Sequence, residues 1–107
     1  MFIHCVFFWA KESLTASDHE DWQQGLRSLL AVQHVVEGSV GVPAATERPN
    51  VERSYAYGLL LKFHDLAGHD AYQIDPRHEA FHRRCVKYWS KVVVYDFVEP
   101  PGAAGAR

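Results

Sequence analysis

Two stretches near the ends of the chain, Phe2 to Lys11 (FIHCVFFWAK) and Lys91 to Val98 (KVVVYDFV), are apolar at both odd and even positions, and this limits the fold more than any other feature. Both have strand length, are rich in aromatic and β-branched residues, and contain neither Gly nor Pro. Side chains alternate across a strand, so Ile3, Cys5, Phe7 and Trp9 face one way while His4, Val6, Phe8 and Ala10 face the other. In the last strand Val93, Tyr95 and Phe97 alternate against Val92, Val94 and Val98. A sheet with one face in water does not fit such strands; both faces require cover.

Helices of the same chain supply one cover. After Thr15, the residues Ser17 and Glu20 have capping-box spacing, and Trp22, Leu26, Leu29 and Leu30 form one apolar stripe, predicting a helix that ends near Val32. Gly25 within it suggests close packing against a neighbour, since glycine otherwise weakens a helix. A weaker strand is read over Val35 to Val42, a polar loop over Ala44 to Arg53 and a strong strand over Ser54 to Phe63. Asp65 caps a short helix through Gln73, and Asp75-Pro76 opens another running to about Tyr88, with Arg83, Arg84 and Lys87 as a solvated basic end.

The resulting order, β-α-β-β-α-β, predicts an α+β fold of the ferredoxin-like type, a four-stranded antiparallel sheet with its helices on one face. The second cover is then expected from another copy, giving a homodimer whose sheets close into an α/β barrel. At 107 residues the chain has room for one core, expected over 1–99, with the Gly-, Ala- and Pro-rich remainder, 100–107, as a flexible tail.

Composition narrows the partners. Apolar residues make up 48% and charged ones 22%, as in ordinary globular chains, and the net charge of −2 provides no basic footprint for nucleic acid. The run Cys5 to Ala10 is too short to span a membrane and lacks a signal-peptide pattern, so no membrane partner is expected and the cytoplasm is the expected compartment. Cys5 and Cys85 are too few for a disulfide framework and have no metal or redox spacing.

Three features bear on chemistry. His78-Glu79-Ala80-Phe81-His82 matches H-E-x-x-H on a helical segment, but no clear third ligand follows and the domain is too small for a protease cleft, so neither a metal nor any other cofactor is expected. His4 lies among apolar neighbours in the first strand, where a hydrogen-bonded core histidine is the ordinary reading. Tyr72 and His78 flank the Asp75-Pro76 break, and a phenol beside an imidazole can serve acid–base chemistry as readily as packing.

Tyr55-Ala-Tyr57 through Phe63, then Tyr72-Gln-Ile-Asp-Pro76-Arg-His78-Glu-Ala-Phe81, Trp89 and Val94-Tyr-Asp96, preceded by His4, together resemble the stress-responsive α/β barrel (Dabb) family from Phe2 to about Val98. The resemblance implies a ferredoxin-like protomer and a barrel-forming homodimer. It also implies, by likeness to a plant polyketide cyclase of that family, a histidine base at His78 assisted by Tyr72, with His4 and Trp89 in the pocket. The chain departs from that enzyme at Tyr57, where the cyclase has a histidine, and at Trp22 and Gly25, which are expected to reshape the cavity.

The reading is a pocket for a small, partly apolar molecule, with His78 and Tyr72 as catalytic candidates and His4, Val6, Phe8, Tyr57, Leu59, Phe81 and Trp89 contacting the ligand. A cofactor-independent cyclase, isomerase or lyase is one function compatible with it. A non-catalytic, stress-linked binding or structural dimer is the second, and a cofactorless monooxygenase the third.

Overall fold

The computed structural model describes residues 1–101; the tail expected over 100–107 falls, beyond residue 101, outside the described residues. The elements are β1 (Phe2–Ala10), α1 (Ala16–Ser28) continued by a 3₁₀ turn (Leu29–Ala31), β2 (Glu37–Gly41), β3 (Tyr57–Phe63), α2 (Leu66–Gln73), α3 (Pro76–Cys85) continued by a 3₁₀ turn (Val86–Tyr88), and β4 (Trp89–Val98). The sheet has the order β2-β3-β1-β4 with every pair antiparallel, which is the ferredoxin-like arrangement.

The starts of the helices follow local chemistry. Asp75 caps α3 by accepting from the Arg77 N–H, and Pro76 occupies the first helical position, where its missing N–H costs nothing. Asp65 caps α2 in the same way through Gly68. For α1 the cap lies two residues before the expected Ser17. Thr15 has extended backbone, its hydroxyl accepts from the Asp18 N–H, and the Asp18 carboxylate accepts from the Thr15 N–H. Thr15-x-x-Asp18 and Ser17-x-x-Glu20 share one spacing, and only the path of the preceding turn selects between them.

The core lies between the three helices and one face of the sheet. Phe2, Val6 and Phe8 of β1 and Leu59, Leu61 and Phe63 of β3 meet Trp22 and Leu26 of α1, Tyr72 of α2 and Phe81 of α3 there. Gly25 marks the crossing of α1 over α3. A Cβ built on it would stand 2.6 Å from Cys85 Sγ, closer than any real contact. Arg84, expected to be a free surface cation, ties the same two helices together: its guanidinium donates to Asp21 Oδ1, while the Tyr88 hydroxyl donates to Asp21 Oδ2. These bonds hold the Asp21 carboxyl below its usual range and, with burial, push the Tyr88 phenol up to about 12.

The opposite face carries no helix. Phe7 packs edge-on against Tyr55 and Tyr95, with ring centroids 4.9 and 6.2 Å away, and Tyr95 and Phe97 remain 62% and 57% exposed. A continuous aromatic surface thus stays uncovered within the single chain.

Candidate functional site

Cross-strand register sets the floor of the site. On the helix-covered face His4 pairs with Leu61 on one side and Asp96 on the other, Val6 with Leu59 and Val94, and Phe8 with Tyr57 and Val92. The helices do not reach fully over β4, whose Val92 and Val94 stay 43% and 47% exposed, and a cavity of about 210 Å³ opens there. Its sheet wall is His4, Val6, Phe8, Leu59, Val92 and Val94, and its helix wall is Leu29, Tyr72, Gln73, His78, Phe81 and His82, with Trp89 where α3 turns into β4. A space of this size takes a small ring or short chain, and most of its lining is apolar.

The polar groups gather at one end. The rings of Tyr72 and His78 meet edge-on with centroids 4.9 Å apart, and His4 lies 6.0 Å from Tyr72. The short break at Ile74 and Asp75 between α2 and α3 turns both side chains into the same space. Burial holds the His78 imidazole below its ordinary value of 6.5, and the neighbouring His4 and His82 add to the effect, so His78 is neutral at pH 7. Burial pushes the Tyr72 phenol up, so it keeps its proton and can donate it to an oxygen. His4 is 4% exposed, and its Nδ1 lies 2.5 Å from Asp96 Oδ1. Burial lowers the proton affinity of His4 while the Asp96 carboxylate raises it, and burial prevails.

The residues anticipated for the pocket all line this cavity except Tyr57. Tyr57 is buried among α1 side chains, its hydroxyl bonded to His19 Nδ1 at 2.8 Å and accepting from Gln23 Nε2 at 2.9 Å. Its place near the start of β3 sets it under α1 rather than under α2 and α3. Trp22 and Gly25 do not border the cavity either. Trp22 fills the core edge-on to Tyr57, and Gly25 serves helix contact. Sequence reasoning missed Leu29, Gln73, His82, Val92 and Val94 in the wall, and missed Asp96 as the partner of His4. Alternation puts Asp96 and His4 on the same face of the sheet, but opposing them needs the register of β4 against β1, which the sequence leaves open to shifts of two residues.

Among the described residues, the donors grouped closely enough to hold a metal ion are His4, His69 and Asp96, all within 4.8 Å of one another. The His4–Asp96 hydrogen bond already joins two of them, so a cation would have to displace its proton. No such group of three includes His78 or His82 of the H-E-x-x-H motif among the described residues. His69 Nδ1 lies 3.1 Å from Asp70 Oδ1 and its Nε2 lies 3.3 Å from Gln73 Nε2.

Fold and cavity together define a ferredoxin-like α+β domain with a small, largely apolar pocket between sheet and helices. The family model of the stress-responsive A/B barrel domain (Dabb) matches residues 2–99, and the chain belongs to that family. No curated protein matches it by sequence. Among solved structures it is similar to a Dabb-family protein with a ferredoxin-like fold from Mesorhizobium loti, at 24% identity and TM-score 0.75, over 92% of this chain and 96% of that one. It is also similar to a dimeric ferredoxin-like protein of unknown function from Thermobifida fusca, at 19% identity and TM-score 0.75, over 92% and 90% of the two chains. A hydroxynitrile lyase from Passiflora edulis aligns at 18% identity and TM-score 0.74, over 92% and 93%. No helix among the described residues is long and apolar enough to cross a membrane.

Proposed function

We propose that residues 1–99 form a domain that acts as a homodimer, binds a small, partly apolar carbonyl compound in this cavity, and performs cofactor-independent proton transfer on it as a cyclase, isomerase or lyase. The observation that carries this reading is the open cavity reaching both Tyr72 and His78. Tyr72 is 1% exposed and in edge-on contact with His78, so the reading rests on both residues bordering the cavity, with the half-buried His78 as the more accessible of the two. In the proposed step a neutral His78 nitrogen takes a proton from the carbon next to the carbonyl. The C–H electron pair moves into the enolate, and Tyr72 donates a hydrogen bond to the oxygen on which charge develops. The uncovered aromatic face of the sheet supports the dimer, as do structural relatives described as dimeric. The Passiflora enzyme lends the lyase reading a precedent within the fold.

Phenylacetone, an apolar ring with one enolisable carbonyl, is a suitable probe. The protein is expected to raise its own melting temperature on binding it and to accelerate exchange of the benzylic protons in D₂O, followed by NMR. His78→Ala should abolish the exchange and Tyr72→Phe should lower it about 10²-fold, as for loss of one oxyanion donor. Binding without exchange would leave a non-catalytic binding dimer. A His78→Ala protein that is several degrees less stable yet still exchanges would show His78 to be a packing residue.

A further inference from the structure

Arg77, Arg83 and Arg84, all on α3, are engaged differently. The Arg77 guanidinium donates to the Ala31 carbonyl at 3.0 Å and that of Arg84 to Asp21 Oδ1 at 2.6 Å, so both fasten α3 to the first helical segment. Arg83 is exposed, and its side chain takes part in no hydrogen bond or ion pair among the described residues. It borders a hollow of about 380 Å³ on the outer surface, walled by Gln73 of α2 and by His78, Glu79, His82 and Arg83 of α3. Gln73, His78 and His82 also line the inner cavity, so the hollow is the outward continuation of its polar end. The H-E-x-x-H residues thereby share one place: His78 and His82 stand at the junction, and Glu79 stands on the outer rim. Every side chain of this outer wall is polar, whereas the inner wall is mostly apolar.

We propose that this mouth is a subsite for a carboxylate carried by the ligand, which makes the ligand a keto acid. Its apolar group lies in the inner cavity, its carbonyl at Tyr72 and His78, and its carboxylate outside against Arg83 and His82. A guanidinium offers paired N–H groups that match the two oxygens of a carboxylate, and an imidazole N–H can donate beside them. Glu79 is the one carboxylate in this wall among the described residues. It stands four positions before Arg83 on the helix, yet the two form no ion pair among the described residues. Its charge sets a limit on the ligand: a doubly charged phosphate ester meets repulsion there, whereas a single carboxylate can pair with Arg83. Water around the mouth keeps the gain small, so the subsite selects among ligands while the apolar cavity provides most of the affinity. The inference rests on the ligand-binding reading above, and adds to it a charge on the ligand and a direction to its binding.

4-Oxo-5-phenylpentanoate and benzyl propyl ketone test this as a pair, because both contain the phenylacetone core and differ only in a terminal carboxylate against a methyl group. The ratio of their dissociation constants, read by calorimetry, should favour the keto acid in the wild-type protein. Arg83→Gln should move that ratio about fivefold towards the ketone, the upper range for one exposed ion pair. Arg83→Lys should keep most of the preference, and Glu79→Gln should raise it by removing the opposing charge. Salt at about 1 M, where charges are screened beyond about 3 Å, should weaken the wild-type preference as Arg83→Gln does. Both side chains are exposed, and each ratio is taken on one protein, so a change in folding affects its two members alike. An identical ratio in wild type and Arg83→Gln overturns the subsite and leaves the pocket reading intact. So does a wild-type protein that binds the keto acid no better than the ketone. If the wild type binds neither compound, the pocket reading itself fails and this subsite with it.

Discussion

His4 and His78 show how one residue type acquires two characters from its surroundings. Both are held neutral chiefly by burial, but His4 has an acid behind it and His78 faces other imidazoles. Their lowered proton affinity has a consequence for stability. In the unfolded chain each protonates near 6.5, while in the native protein each does so at lower pH. Between those values the unfolded state binds more protons, so the stabilisation from keeping them neutral is complete above about 6.5 and is lost as pH falls towards the native values. The Asp21 carboxyl, held low by Arg84 and Tyr88, acts in a separate window below 3.8. Urea midpoints should therefore fall between pH 7.5 and 5, and His78→Gln should flatten that slope. An unchanged slope in the variant would mean that His78 is as well solvated when folded as when unfolded.

At the scale of elements, the break between α2 and α3 does the positioning. Asp65 and Asp75 start the two helices, Pro76 permits the second start directly after the first helix ends, and the turn between them brings Tyr72 and His78 to one cavity. These signals are local, and both caps were legible as residue types at fixed offsets. The start of α1 was less so, because two boxes of equal spacing overlap there. The structure makes the competition measurable. Thr15→Ala should cost about 1 kcal/mol, the usual value for a lost N-cap, whereas Ser17→Ala, inside the helix, should change stability by no more than a few tenths. Equal losses in chemical denaturation, or a larger loss for Ser17→Ala, would return the cap to Ser17.

For the whole molecule, the decisive feature is a sheet with apolar residues on both faces and helices on one. The uncovered side presents Phe7, Trp9, Tyr55, Tyr95 and Phe97, with Trp9 and Tyr55 rings 6.3 Å apart. A patch of this kind marks an interaction surface, and the proposed homodimer would cover it with a second copy. Sedimentation at micromolar concentration should find a dimer, and Tyr95→Asp should give monomer or aggregate, because an unpaired charge inside an apolar interface is costly. A clean Tyr95→Asp dimer of unchanged stability would place the interface on another surface.

Alternation in the strands, helix-start chemistry and the order of elements are properties of neighbouring residues, and so the sequence by itself determined the ferredoxin-like topology, the two-sided alternation of β1 and β4, and the placement of Tyr72 and His78 about one break. Register, the reach of the helices over the sheet and the end of the sheet each side chain occupies depend on contacts between residues far apart in the chain. Tertiary structure alone therefore withdrew Tyr57 and Trp22 from the cavity, paired Arg84 with Asp21 across two helices, and left the edge at Val92 and Val94 open. It also placed Asp96 behind His4, a pairing of residues 92 positions apart that exists because β4 returns antiparallel beside β1.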